Sequence, residues 1–129
     1  ATPSQRISCI VTAAGHVREK AFRLTLDRAG RFRKTGVVWA GCSDGNEPSH
    51  LVRLLKSRLV DAGCELEARA FVPHVTLLRD VSGAAPSTAA LRVGWAVDAF
   101  MLMESIHRAG RLEYRAVHRF ALHGALPSL

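Results

Sequence analysis

The chain has 129 residues, of which 48% are hydrophobic; that is enough for one domain with a real core and too apolar for a disordered segment. No apolar run approaches the roughly 18 residues that span a bilayer, and Ala1 to Gly15 lacks the charged-then-apolar order of a signal peptide. Eighteen Lys and Arg against eleven Asp and Glu leave a formal charge of +7, carried mostly by arginine; this suits polyanions and bidentate phosphate contact, while solubility or genomic composition accounts for it equally well.

In chain order, Thr2-Pro3-Ser4-Gln5 reads as a helix start, with Thr2 as cap and Pro3 at the first helical position. Ile7, Ile10, Val11 and Ala14 recur at helical spacing, Gly15 is a natural stop, and His16 just beyond it reads as a solvated residue at the helix C-terminus. Phe22, Leu24 and Leu26 alternate with Arg23, Thr25 and Asp27, the pattern of a half-buried strand. Arg28, Arg31, Arg33 and Lys34 follow in a Gly-bounded connection, and Val37-Val38-Trp39-Ala40 forms a second strand. The two strands read as a hairpin with a basic tip, either a solvated loop or a site beside an RNA backbone. Trp39, next to two valines, reads as core before it reads as a base-stacking platform.

Pro48 to Ala62 is predicted as an amphipathic helix with Leu51, Leu54, Leu55, Leu59 and Ala62 on one side, ended by Gly63. Val81 to Ala90, rich in Ser, Ala, Gly and Pro, is a surface loop. Val93 to Glu104 is one long apolar strand covered on both faces, Ile106 to Arg111 a turn, and Leu112 to Leu122 the closing strand. The tail to Leu129 is expected to fray. Helices mixed with mostly antiparallel strands define an α+β class. Cys9, Cys42 and Cys64 are odd in number, widely spaced and without paired histidine ligands. They read as reduced thiols of a cytoplasmic protein, with no zinc site and no disulfide frame.

The chemistry concentrates in Phe71 to Asp80, FVPHVTLLRD. Pro73 suits the start of a strand. Strict alternation then points His74, Thr76 and Leu78 one way and Val75, Leu77 and Arg79 the other, with His74 and Thr76 roughly 6–7 Å apart. An imidazole can move a proton near neutral pH, and a hydroxyl beside it can hydrogen-bond a phosphoryl oxygen. Taken alone, the pattern fits a buried strand with satisfied His and Thr side chains more often than a site.

The wider sequence adds to this. HVTL with Leu78-Arg79, FRLTLDRAGRF (Phe22 to Phe32), GVVWAG (Gly36 to Gly41), the helix from Pro48 and MLMESIHRAGRLEYRAVHRFAL (Met101 to Leu122) occur in one order. Together they resemble the bacterial RNA 2′,3′-cyclic phosphodiesterases, or 2′-5′ RNA ligases, of the two-histidine phosphoesterase superfamily. The resemblance implies a bilobal α+β fold, antiparallel sheets with helices packed outside, over one domain at residues 1–129. It also implies two His-x-Thr signatures facing each other across a cleft, and only the one at His74 is present. ATPSQR resembles the family sequence just after its first signature, so the expectation is a member without its N-terminal part.

By the same resemblance, His74 is the second catalytic histidine, Thr76 its phosphate-binding partner and Arg79 a basic phosphate contact. Arg79 can serve only if the strand ends or bulges before it. The implied reaction opens a terminal 2′,3′-cyclic phosphate on RNA to a 2′-phosphate, or joins tRNA halves reversibly through a 2′-5′ bond. Two histidines would act as acid and base, without metal or cofactor. His107, His118 and His123 lack a neighbouring hydroxyl at the same spacing and read as structural or solvated. Two other classes stay open: a non-catalytic RNA-binding module and a phosphodiesterase for a small cyclic nucleotide, without a membrane role.

Overall fold

The computed structural model describes residues 3–68, 70–83 and 91–124. The order is α1 (Pro3–Gly15), β1 (Phe22–Leu26), β2 (Arg28–Phe32), β3 (Val37–Gly41), α2 (Asn46–Asp61), β4 (His74–Leu78), β5 (Val93–Val97), β6 (Ala99–Arg108) and β7 (Arg111–Ala121). This is the expected α+β composition of two helices on antiparallel sheet. The proposed cap at Thr2, most of the loop to Ala90 and the tail after Gly124 lie outside the described residues.

Both helices behave as their sequences dictate. In α1, Ala13 and Ala14 are buried, while Ile7 is left largely exposed. In α2 the helix begins two residues before Pro48, with Pro48 and Leu51 as its buried positions. Its end is a Schellman closure: Gly63 N–H donates to Val60 O, Cys64 N–H donates to Leu59 O, and Gly63 takes φ +87°. Leu51 joins Val17, Ala21, Phe22 and Leu122 in the core, with Leu54, Leu55, Leu24, Val97 and Phe100 packed around them. Phe22, at 2% exposure, is the most completely enclosed large side chain of the cluster.

Strand pairing departs from the sequence-based expectation. The basic connection is itself β2, and it is β2, not β1, that forms a hairpin with β3, from Arg28↔Gly41 to Phe32↔Val37. β1 pairs instead with β5, from Phe22↔Val97 to Leu26↔Val93. The break falls at Asp27: its carboxylate accepts the Ser43 N–H at 2.7 Å and its own N–H donates to Gly41 O. Those bonds hold Asp27 across the end of β3 rather than in a continuous strand. They also hold its carboxyl below the usual carboxylate range, with the Ser43 N–H as the main cause.

The long apolar segment also divides. Asp98 separates β5 from β6, and its carbonyl accepts the Leu122 N–H. β6 and β7 pair from Ala99↔Ala121 to Arg108↔Arg111. The turn is therefore only Ala109-Gly110, both at positive φ, and Ile106 to Arg108 remain in the strand. Two positive-φ residues make the tight turn whose twist matches a hairpin. One face of β6, carrying Phe100, Leu102 and Ile106, is partly buried; the other leaves Met101, Met103 and, across the hairpin, Tyr114 exposed. The covering expected on both faces is absent there.

Candidate active site

β4 pairs with β3 and, among the described residues, has no strand on its other side; it is an edge, not a buried strand. Its register explains what it displays. Gly41 opposes His74, Ala40 opposes Val75, Trp39 opposes Thr76, and then Val38 opposes Leu78. Leu77 is the extra residue of a β-bulge. Because antiparallel partners share a face, His74 and Thr76 lie on the side of Gly41 and Trp39, whereas Leu78 is carried over to the side of Val38. Arg79 follows just past the strand's end at Leu78, in a bend before Asp80 at positive φ. The strict alternation that set Arg79 opposite His74 does not hold through the bulge.

The same face of β2 carries Gly30, opposite Trp39, and Phe32. Phe32 and His74 align with β3 positions four residues apart, Val37 and Gly41, yet their rings meet edge to face at 5.2 Å. The Phe32 and Trp39 rings lie 5.5 Å apart. Rings so far apart in register meet because the two side chains lean toward each other along the face that carries the indole. Glycines make room for it: a Cβ at Gly30 would stand 2.4 Å from Trp39 Cζ2, and one at Gly41 3.0 Å from Trp39 Cζ3. Trp39 is thus neither simple core nor a free stacking platform; it is the half-buried floor beneath His74 and Thr76, which are both exposed.

His74 is held by its backbone neighbour as well as by Phe32. Its Nδ1 lies 2.8 Å from Val72 O. A carbonyl only accepts, so Nδ1 carries the proton and donates, and in the neutral ring Nε2 bears the lone pair. Beside His74 lies a cleft of about 680 Å³ whose lining includes Leu24, Phe32, Cys42, Phe71, Pro73 and Trp95. It is mostly apolar, with few polar groups at its edge, the usual character of a small-molecule site. Thr76 is not among its lining residues and stands further along the strand.

Other candidate groups are placed elsewhere. His118 packs its ring 4.6 Å from that of Phe120, His123 exchanges backbone hydrogen bonds with Glu19 and Ala21, and His107 and His16 are exposed. His50 Nε2 sits 2.9 Å from a Glu19 carboxylate oxygen. Among the described residues, no three His, Cys, Asp or Glu side chains gather as metal ligands, and no helix is long and apolar enough to cross a membrane.

Cys42, which sequence inspection passed over as a plain thiol, lines the cleft. Burial, then the charges of Asp27 and Asp44, push its thiol above its ordinary value of 9.0. Alkylation requires the thiolate, so at pH 8 iodoacetamide should modify exposed Cys9 first and Cys42 late. A 2′-nucleotide in the cleft should slow Cys42 further without changing Cys9. Peptide mass spectrometry over time reads both rates; equal rates with and without nucleotide would mean that the cleft is not where the nucleotide sits.

A strand presenting His-x-Thr on an exposed face, beside an apolar cleft, fits the phosphoesterase resemblance of the sequence. Residues 5–108 match the model of the 2′-5′ RNA ligase superfamily, and the chain belongs to that family. It is 38% identical over 113 residues to the RNA 2′,3′-cyclic phosphodiesterase of Escherichia coli strain K12, a match covering 84% of this chain and 63% of that protein. The chain therefore spans less than two thirds of that relative's length. It also superposes on E. coli LigT complexed with 3′-AMP at a TM-score of 0.78 and 33% identity, over 95% of this chain and 72% of the other. With LigT complexed with phosphate the values are 0.74 and 30%, over 96% and 70%.

Proposed function

We propose that this chain carries half of the acid–base machinery of an RNA 2′,3′-cyclic phosphodiesterase, acting in the cytoplasm, where Cys9, Cys42 and Cys64 stay as free thiols. The observation that carries the reading is the His74 ring, clamped through Nδ1 to Val72 O with Thr76 on the same exposed face. Opening a 2′,3′-cyclic phosphate to the 2′-monoester forms one P–O bond from water and breaks the P–O3′ bond. The water gives up a proton and O3′ takes one. With Nδ1–H engaged, Nε2 of His74 accepts a proton when neutral and returns one when protonated, so it serves either step. The Thr76 hydroxyl donates to a non-bridging oxygen as charge develops, and Arg79, just past the end of the strand, contributes positive charge. With the 5′-hydroxyl of a second RNA in place of water, the same proton transfers in the same direction join the two ends, tRNA halves included, through a 2′-5′ bond, and run backwards they cleave it.

The 129 residues contain one His-x-Thr, and we assign the second proton-transfer group to another segment or subunit. On an RNA ending in a 2′,3′-cyclic phosphate, the chain should bind the terminus and yield a 2′-phosphate. It should do so about 10²- to 10⁴-fold more slowly than a relative bearing two such motifs. Chromatographic resolution of 2′- and 3′-phosphate products checks this. A 3′-phosphate product, or a rate from the monomeric chain equal to that of the two-motif relative, would overturn the assignment.

A further inference from the structure

The β2–β3 hairpin tip lies close to the end of β4. Val81 N–H donates to Gly36 O at 2.9 Å, Arg31 Nη1 reaches Val81 O at 3.4 Å, and a Cβ on Gly36 would stand 2.8 Å from Val81 O. The chain leaving β4 is therefore pinned to the turn at residues 33–36. This ties the segment carrying Arg79, two residues before Val81, to the turn that carries Arg33 and Lys34, and all three side chains are exposed. Asp80 is the acidic residue in this group, with its Cα also against Gly36, so the cluster keeps a positive balance. It lies about 10 Å from Thr76, counting three residues from Trp39 at about 3.3 Å per residue. His74 stands in the other direction along β4, while Thr35 of the same turn lines the cleft.

We infer that this tip, through Arg33 and Lys34, is a track for the phosphodiester backbone of an RNA chain whose terminal phosphate sits at His74 and Thr76. The inference rests on the function proposed above. An exposed cationic pair contributes charge attraction without reading sequence, and its distance from Thr76 lets it meet internal linkages rather than the terminal phosphate. It favours polymer over mononucleotide, because a nucleoside 2′-phosphate has its single phosphate at His74 and Thr76 and none left for the tip.

The test is equilibrium binding of a fluorescent oligoribonucleotide ending in a 2′-phosphate, by anisotropy, and of a nucleoside 2′-monophosphate, by calorimetry. The proteins are the unaltered chain, the double variant R33A/K34A and the site variant H74A/T76A. R33A/K34A should weaken oligonucleotide binding about tenfold at low salt and make the slope of log affinity on log salt shallower by about 1.4, from about 0.7 per contact. Its mononucleotide affinity should not change. H74A/T76A should weaken both ligands. The track is refuted if R33A/K34A keeps full oligonucleotide affinity and salt slope, or loses both ligands equally. If H74A/T76A affects neither ligand, it is the terminal-phosphate site that fails, an outcome separable from the first. R33E/K34E, with charge reversed, should deepen the oligonucleotide loss and leave the thermal midpoint unchanged.

Discussion

His74→Ala should lower single-turnover cleavage of a 2′,3′-cyclic phosphate terminus by about 10²- to 10⁴-fold, the usual contribution of one acid–base group. It should leave the fold's stability within about 0.5 kcal/mol, because the side chain is exposed. The lost contacts are one hydrogen bond to Val72 O and one edge against Phe32, both at the surface. Thr76→Ala should cost less, about 10- to 100-fold, the value of a hydrogen bond to a charged group. Thr76→Ser, which keeps the hydroxyl, should recover most of it. A structural role for the pair would show the reverse pattern: a lowered midpoint in urea with cleavage per folded molecule unchanged. Measuring both quantities on each variant decides between them.

Gly30→Ala should damage both stability and site. The new methyl group would stand 2.4 Å from Trp39 Cζ2 and 2.9 Å from Trp39 Cε2, closer than any real contact, so the indole or the β2 backbone must move. Overpacking of this kind costs about 1–3 kcal/mol, seen as a lower urea midpoint with an unchanged slope. Because Trp39 lies under Phe32, and Phe32 holds the edge of His74, the displacement should reach the imidazole. Cleavage should fall beyond what the unfolded fraction explains, and the His74 ring resonances should shift. At exposed Gly94, where nothing lies within 4 Å of an added Cβ, the same substitution should do neither.

These two sites mark the boundary between what the chain order displays and what folding adds. The two helices were legible because their signals are local: apolar residues at helical spacing, and a glycine positioned to close α2 through its own backbone bonds. The strand at Phe22 to Leu26 and the one at His74 to Leu78 were legible for the same reason, and so was the pairing of an imidazole with a hydroxyl two residues on.

Strand partners were not legible. β1 joins β5, some seventy residues away, while the arginine-rich stretch beside it becomes β2. No property of Arg28-Ala29-Gly30-Arg31-Phe32 alone announces a strand; Gly30 belongs in one here because the Trp39 ring occupies the space where a side chain would be. Asp98 likewise breaks an apolar run that periodicity reads as continuous, because its carbonyl is committed to Leu122 from the far end of the chain. Arg79 is the sharpest case. Alternation along an isolated strand sends it away from His74, but β4 ends at Leu78 with Leu77 left over against β3, so that alternation does not carry through to position 79. Local sequence thus determined which residues could do chemistry and on what kind of element. Which of them share one face was decided by pairing between distant strands, since a one-residue slip in a period-two structure reverses every side chain beyond it.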